Sequence, residues 1–444
     1  MNPISIYPNL FNAAAAGDAE TFKRNTTSDE IESLLTAQTK NTILHINIIS
    51  QKRKNGSTKF IGEMLEICPS LLLQVNAKGD TPLHLATKFA HSNIVSFLIE
   101  RAKLAAWQMM RMTNNEKNTA LHEAVCHGNV QVVKILTKQD PDSPYSANKY
   151  GKTPLYMVAE GRYSEMVIEL LENCTSVSHE GPNGKTALHA AAMHFYFGNH
   201  YSLQLCLLRA IQLCLFKLYW LLFDLSCVVS DEAALKKLLE KKMGLIKETD
   251  HYGWTPIHYA AYYNQYQQIH VLLENDQTAA DIADKDRKMT ALHLAAGQGH
   301  ARTVETILFL DPKCYELVDH RGWNFLHYAM VSFKFHELKI LLKNPLARSL
   351  IDEGDNNGNT PLHVLAAIRP KEFFKIKVRY DAGGNYGAVN KQNVSVTDVL
   401  IYGSREEEVR NLSKDNGRGQ YPDGVICKRA QVGINKLGES RKDS

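Results

Sequence analysis

One short pattern recurs nine times along this chain and constrains its fold more than any other feature. It reads Thr-Pro-Leu-His or Thr-Ala-Leu-His in its clearest copies, and the copies begin at Thr42, Thr81, Thr119, Thr153, Thr186, Thr255, Thr290, Asn324 and Thr360. These starts are nearly evenly spaced, except that the step from Thr186 to Thr255 is twice as long as the others. So short a unit cannot bury its apolar face alone, and the units are therefore expected to stack.

Each copy predicts a pair of helices. Threonine caps a helix N-terminus, and proline or alanine suits the next position because the first helical N–H groups have no partner within the helix. The leucine and the alanines that follow, such as Leu292 and Ala295, give a face that a neighbouring helix can approach closely. A second helix follows with apolar residues at helical spacing, and a polar loop with glycine, such as the one at Gly358, closes the unit.

This arrangement resembles the ankyrin repeat, whose unit has about 33 residues and a T-P-L-H-x-A signature. The segment from Asn9 to Phe22 is similar to a capping unit, because Leu10 lies one repeat length before Leu44 and lacks the histidine. The predicted fold class is therefore all-α, a solenoid of helix-turn-helix units. We expect a capping repeat over residues 1–40, nine repeats over 41–368, and a flexible linker or tail over 369–444.

The repeated threonines and histidines are predicted to be structural. Equivalent positions of stacked helix pairs lie about 10 Å apart, which is too far for histidines to share a metal ion. Each imidazole is instead expected to form hydrogen bonds at its own junction of turn and helix. The predicted structural residues are Thr81, His84, Thr119, His122, Thr153, Thr186, His189, Thr255, His258, Thr290, His293, His327, Thr360 and His363.

The long step from Thr186 to Thr255 contains a block at residues 195–229 that is rich in apolar residues, and six residues between Leu203 and Val229 are not apolar. Removing the block restores a step of ordinary length and supplies the missing second helix from residues 230–242. Three interpretations stay open: a membrane span, a functional amphipathic insertion, or translated intervening sequence. Arg209, Lys217 and Asp224 count against a span, since each costs about 2.5 to 3.5 kcal/mol near the centre of a bilayer.

At larger scale the chain resembles plant ankyrin-repeat proteins of the accelerated-cell-death type, in which a membrane-spanning PGG domain follows the repeats. The likeness is carried by Met109–Val125, Gly151–Tyr163, Glu172–Ala191, Asp250–Tyr263, Gly358–Ala367 and the final KLGESRKDS. The resemblance implies a place at the plasma membrane and a part in defence or cell-death signalling. Because the PGG spans are missing, two alternatives stay open: the sequence is truncated, or, if it is complete, it is a cytoplasmic form that competes with a full-length relative for partners.

No catalytic, cofactor or metal motif is found in the sequence. Gly181–Thr186 lacks the first glycine of a phosphate-binding loop, since His179 stands there. A formal net charge of +4 is too small to indicate a basic surface that binds nucleic acid. We therefore predict a non-enzymatic scaffold that binds other proteins rather than nucleic acid or a small-molecule substrate. The alternative is the cytosolic part of a channel- or transporter-like membrane subunit.

The predicted partner contacts are aromatic and arginine side chains at or near the turn tips, since such residues carry much of the energy of protein interfaces. They are Tyr150, Tyr252, Trp254, Arg321 and Trp323. For the two tryptophans, packing against the adjacent tip is an equally good interpretation.

Overall fold

The computed structural model describes residues 4–51, 56–143, 145–193, 232–332, 334–368, 373 and 384–403. The described residues belong to two compact units. Unit 1 comprises those within Met1–Ala191 and Arg209–Lys242, and unit 2 comprises those within Ala192–Leu208 and Met243–Ser444.

Unit 1 is built from antiparallel helix pairs preceded by a short N-terminal segment. Strands β1 (Ile4–Ser5) and β2 (Leu34–Leu35) form a two-stranded parallel sheet. The helices are α1 (Pro8–Ala16), α2 (Ala19–Asn25), α3 (Ser28–Ser33), α4 (Ile43–Ser50), α5 (Lys59–Ile67), α6 (Pro82–Lys88), α7 (Ser92–Ala102), α8 (Ala106–Arg111), α9 (Ala120–Cys126), α10 (Val130–Gln139), α11 (Pro154–Glu160), α12 (Ser164–Asn173), α13 (Ala187–Ala192) and α14 (232–241). The first helices α1, α4, α6, α9 and α11 pack in that order, and α7, α10 and α12 form the second row.

Unit 2 repeats the same arrangement. Its helices are α15 (Pro256–Tyr262), α16 (Tyr266–Asn275), α17 (Ala291–Gly297), α18 (Ala301–Leu310), α19 (Phe325–Val331), α20 (Phe335–Leu341), α21 (Pro345–Ser349), α22 (Pro361–Ile368) and α23 (Val396–Gly403). The first helices α15, α17, α19, α22 and α23 pack in chain order, and α16, α18 and α20 pack behind them. The chain thus folds as the predicted all-α solenoid of helix-turn-helix units.

The C-terminal limit of the repeats is corrected by α23. This helix packs against α22, and its N-cap is Ser395, whose hydroxyl accepts from the Asp398 N–H at 3.1 Å. The Asp398 carboxylate in turn accepts from the Ser395 N–H at 2.9 Å. The predicted boundary at residue 368 is therefore too early, because a serine–aspartate capping box replaces the threonine–histidine pattern that marks the other copies. Residues 404–444, predicted to be a flexible tail, lie outside the described residues.

The helix at 232–241 occupies the second-helix position of the interrupted repeat. Leu235 and Leu238 are buried, and Lys237 forms an ion pair with Glu172 of α12 at 3.0 Å. One repeat earlier, Lys134 of α10 and Glu165 of α12 are joined in the same way at 2.7 Å. The apolar block at 195–229, with its three interpretations, lies outside the described residues. Within the described ranges, every helix is too short or too polar to cross a bilayer.

Glycine is required at several turn tips for two reasons at once. Gly322 has a φ of +81°, which residues with a side chain rarely adopt, and a Cβ there would lie 2.8 Å from the backbone nitrogen of Asn356 in the next tip. Gly253 has a φ of +84°, and its Cβ would lie 2.7 Å from the nitrogen of Lys285. Close contact between successive tips therefore depends on these glycines.

We expect Gly322→Ala to lower the free energy of unfolding by roughly 1–3 kcal/mol, through backbone strain and the clash with Asn356. Gly244→Ala is the matched control, since a Cβ at Gly244 meets no heavy atom within 4 Å and its φ is not positive. Urea denaturation of both variants measures the difference. Equal stability of the two would contradict the structural role given to the tip glycines.

Candidate functional site

In most repeats the pattern histidine connects its own helix start to the next repeat, whereas the Nε2 atom of His122 is buried without a hydrogen-bond partner. All the pattern histidines are buried, as are the threonines that precede them. In seven copies the Nδ1 atom lies 3.0 to 3.2 Å from the threonine backbone nitrogen and 2.7 to 2.9 Å from the threonine hydroxyl; the histidines are His45, His84, His122, His189, His258, His293 and His363.

The Nε2 atom of the ring forms a hydrogen bond with a carbonyl of the following repeat. In unit 1 these pairs are His45 with Asp80 at 2.8 Å and His84 with Asn118 at 3.0 Å. In unit 2 they are His258 with Met289 at 3.2 Å, His293 with Trp323 at 3.0 Å, His327 with Asn359 at 2.9 Å and His363 with Val394 at 3.1 Å. One ring thus joins helix capping to repeat stacking.

These partners fix the tautomer of the ring. A backbone N–H only donates, so Nδ1 must accept from the threonine amide and carries no proton. A carbonyl oxygen only accepts, so Nε2 must carry the proton and donate. The threonine–histidine copies with both contacts therefore hold a neutral Nε2–H imidazole, and a proton on Nδ1 would face the threonine N–H.

Burial lowers the pKa of these imidazoles strongly. It brings the pKa of five of them from 6.5 to about 4, namely His45, His122, His258, His293 and His327. The hydrogen bonds to carbonyl oxygens act in the opposite direction, but the loss of hydration of the charged ring outweighs them. The rings therefore stay neutral in the native state at neutral pH.

We expect stability to fall as the pH is lowered from 6.5 towards 4. Between pH 6.5 and 4 these histidines are protonated in the unfolded chain but neutral in the native state. Each of them therefore lowers the free energy of unfolding by up to about 1.4 kcal/mol for every pH unit below 6.5. His293→Leu should reduce this pH dependence by about that amount, whereas Phe309→Leu, at an exposed position without a titratable group, should leave it unchanged. Urea titrations across the window measure both slopes, and parallel slopes for the two variants would contradict the assignment.

Two copies depart from the threonine–histidine pair and keep the junction by other means. At Thr153 the histidine is replaced by Tyr156, which is buried, and the threonine hydroxyl donates to the carbonyl of Glu180 at 2.7 Å. At Asn324 the side-chain oxygen accepts from the backbone N–H groups of Leu326 and His327 at 3.1 and 3.2 Å. The hydrogen bond between repeats is therefore retained when the sequence pattern is lost.

The turn tips form a second layer of repeated hydrogen bonds, which the sequence pattern did not reveal. At most tips an Asn or Asp side chain accepts from the backbone N–H groups two and four residues later, as Asn148 does from Tyr150 and Lys152 at 2.9 and 3.1 Å. Backbone bonds then connect neighbouring tips: the Asn115 N–H donates to the Lys78 carbonyl at 2.9 Å. An Asn or Asp three residues before the tip glycine was the available signal.

Trp254 and Trp323 correct the expectation of surface contacts. Trp323 is fully buried and Trp254 is 6% exposed. The Trp323 ring stacks on His327 with 5.4 Å between ring centroids, and its Nε1–H donates to Asp355 at 3.0 Å. Trp254 stacks on His258 at 6.1 Å. Both tryptophans pack at the helix start because the flat face of the buried imidazole lies beside them.

Arg321 is half-buried and is held in place within its own repeat. Its Nε donates to Asp319 at 3.0 Å, one terminal nitrogen donates to the Tyr328 hydroxyl at 3.0 Å, and the guanidinium lies 4.4 Å from the centre of the Trp323 ring. Burial alone raises the pKa of Asp319, but Arg321 and the Trp323 N–H bring it below its ordinary value. The edge of Arg321 that remains exposed is rigidly positioned.

The two tyrosine candidates are exposed, one in each unit. Tyr150 is 57% exposed, and its hydroxyl donates to Glu116 of the preceding tip at 3.2 Å. The Glu116 charge raises the pKa of that phenol. Tyr252 is 37% exposed, and its backbone N–H donates to Asp250 at 2.9 Å.

Sequence reasoning missed the exposed apolar side chains on or beside the first helices of unit 1, among them Ile49 and Phe89. Ile49 lies in α4 and Phe89 directly follows α6, and they are 41% and 42% exposed. Comparison of the repeat copies could have identified them: in the copy that begins at Thr290, small or polar residues, Gly297 and Gln298, stand at the positions of Ile49 and Phe89. Among the described residues, no group of three or more His, Cys, Asp or Glu side chains is arranged to hold a metal ion.

Comparison with known protein families identifies the family of the chain. The family model described as ankyrin repeats (3 copies) matches residues 53–145, 225–316 and 292–376, which together make up more than half of the sequence. The chain belongs to the ankyrin-repeat family. Domains of this family are typically non-enzymatic modules that bind other proteins.

Individual relatives are distant. The ankyrin chain is 23% identical over 181 residues to Protein ACCELERATED CELL DEATH 6 of Arabidopsis thaliana, covering 38% of this chain and 26% of that protein. It is 32% identical over 134 residues to the probable 26S proteasome regulatory subunit p28 of Saccharomyces cerevisiae, covering 30% of this chain and 58% of that protein. The chain spans between 26% and 31% of the first curated relatives it matches.

Among solved structures, the ankyrin repeat domain of Bcl-3 is similar, with a TM-score of 0.44 and 21% sequence identity. That match covers 60% of this chain and 99% of the Bcl-3 domain.

Proposed function

We propose that this ankyrin chain is a non-enzymatic scaffold that binds another protein in plant defence or cell-death signalling beside a membrane. Its partner is a protein, with a full-length relative of the accelerated-cell-death type as the first candidate, and neither nucleic acid nor a small-molecule substrate is part of the proposal. The alignment with Protein ACCELERATED CELL DEATH 6 and the segments that resemble that family support this assignment.

The observation that carries the proposal is that one set of residues, in the interior, maintains the repeat fold, while a different set is exposed at the surface. The threonines and histidines that define the repeat are buried, and most of their polar atoms are paired within the fold, so they are not available to a substrate. The thiols of Cys174 and Cys314 are poor nucleophiles as well, since burial raises the pKa of Cys174 to about 12 and that of Cys314 still further. What faces outward is a set of side chains that the repeat itself does not need, such as Ile49, Phe89 and Tyr150.

The first-helix side of unit 1 is the proposed protein-binding face. Ile49 and Phe89 belong to neighbouring repeats whose first helices, α4 and α6, pack directly against each other. Exposed apolar groups on adjacent repeats provide contact area that a single repeat lacks, and apolar and aromatic anchors contribute strongly when a partner buries them.

Proximity labelling in plant tissue tests this proposal. A biotin ligase fused to the full chain should label a defined set of proteins, and Ile49→Ser with Phe89→Ser should lower that enrichment about tenfold, because burial of two apolar anchors is lost. Phe309→Ser is the control, since Phe309 is 79% exposed but lies on a second helix of unit 2.

A labelled set that includes membrane proteins or a full-length relative, and that depends on Ile49 and Phe89 but not on Phe309, is the expected result. If the double variant labels the same proteins to the same degree as the wild type, the proposed binding face is wrong.

A further inference from the structure

Four successive turn tips of unit 1 each present a lysine. Lys40, Lys78, Lys117 and Lys149 stand on the tips at residues 36–41, 76–80, 114–118 and 148–152, and the last three are exposed. We call these four residues the lysine row. The carboxylates on the same tips are Asp80, which is buried and accepts from Asn114 at 2.8 Å, and the exposed Glu116. The tips therefore carry a positive excess that the small net charge of the whole chain conceals.

The lysine row differs from the cations on the second-helix side of unit 1. There Lys23 pairs with Glu63 at 2.8 Å, Lys134 with Glu165 at 2.7 Å and Lys237 with Glu172 at 3.0 Å. Arg111 pairs with Asp140 at 2.7 Å. None of the four lysines of the row takes part in the ion pairs formed among the described residues. Their charges are thus available to a partner.

Backbone hydrogen bonds fix the spacing of the row. The Ala77 N–H donates to the Thr39 carbonyl at 2.8 Å, the Asn115 N–H to the Lys78 carbonyl at 2.9 Å, and the Lys149 N–H to the Glu116 carbonyl at 2.8 Å. Each tip is therefore connected to the next, at the separation of about 10 Å that stacked helix pairs impose. Each lysine therefore stands on a hydrogen-bonded tip, although Lys78, Lys117 and Lys149 lie two, three and one residues after the asparagine of their tips.

Two of these lysines occupy strained backbone positions. Lys40 and Lys117 have φ values of +52° and +59°, in the left-handed region where Gly79 and Gly151 stand at neighbouring tips. A residue with a Cβ costs about 1–2 kcal/mol there compared with glycine. The chain thus keeps a cation at two tips where glycine would be more stable.

We infer that the lysine row is a docking site for an extended acidic segment of a partner protein. A polyproline II segment returns to the same face every third residue after about 9 Å, which matches the spacing of the tips. Carboxylates at every third position would each meet one lysine, and Tyr150 at the end of the row offers an exposed aromatic ring beside them. This inference rests on the proposed function and specifies the chemistry of the partner.

The row favours a discrete acidic segment over a continuous anionic surface. Nucleic acid carries a charge about every 1.7 Å and would bring phosphates against the exposed Glu116. A membrane surface is bound by dense basic clusters of about four to eight residues, whereas this row is one lysine wide. Cations separated by about 10 Å suit carboxylates separated by the same distance.

Fluorescence anisotropy with the purified full chain tests the inference. The probe is a labelled peptide of four Glu-Pro-Pro triplets, and we expect it to bind the wild type at low ionic strength. Lys78→Glu with Lys117→Glu and Lys149→Glu should weaken binding at least about tenfold, because attraction becomes repulsion. The matched control is Lys59→Glu with Lys103→Glu and Lys138→Glu, which changes the net charge equally at exposed positions on or next to the second helices and should bind as the wild type does.

A second triple variant, Lys78→Gln with Lys117→Gly and Lys149→Gln, removes the charges without adding acidic groups and relieves the strain at residue 117. It should also lose binding while keeping its thermal unfolding midpoint, which separates lost docking from lost folding. A Lys-Pro-Pro peptide should not bind.

Equal affinity of the wild type and both row variants for the Glu-Pro-Pro peptide would overturn the inference. So would lysine-dependent binding to vesicles of phosphatidylserine and phosphatidylcholine without binding to the peptide, since the row would then be a membrane contact. Either result leaves the proposed function standing if proximity labelling still depends on Ile49 and Phe89.

Discussion

The structure depends on a buried imidazole that performs two tasks in six of the repeats that the structure describes. Its Nδ1 accepts from the threonine that caps the first helix, and its Nε2 donates to the loop of the following repeat, as His293 does between Thr290 and Trp323. A ring that only filled space would not couple these events. Because a neutral Nε2–H tautomer satisfies both partners at once, the capping of one helix and the stacking of the next unit stabilise each other.

Because these polar groups act inside the molecule, the repeat geometry does not depend on the exposed side chains. Threonine and histidine fix the helix starts, and the Asn and Asp side chains fix the tips, so the repeat geometry makes no demand on residues such as Ile49, Phe89 or Lys78. A partner can then be selected by side chains whose change costs the fold little. Under the proposed function, partners are selected by exposed side chains rather than by the pattern that identifies the fold.

Much of the fold could be predicted from the sequence because its pattern is local. The threonine–histidine spacing marks each helix start, and regular steps imply stacking. The last helix was not predicted as part of the repeats because it is capped by Ser395 and Asp398 instead of by threonine and histidine. The burial of Trp323 could not be predicted for another reason. Its ring lies between His327 and Arg321, and only the folded repeat brings these side chains together. The lysine row is invisible as a run of charge, since each of its members lies a full repeat away from the next.

The protonation state of the buried rings is the property that tests this coupling of capping and stacking most directly. Nitrogen-15 NMR of the histidine-labelled full chain at neutral pH distinguishes the two neutral tautomers and the imidazolium. We predict that the threonine–histidine copies with both contacts give resonances of a neutral ring protonated on Nε2, unchanged down to about pH 5, well above the native pKa of about 4. Rings that titrate near pH 6.5, or that carry the proton on Nδ1, would contradict the two tasks assigned to the imidazole.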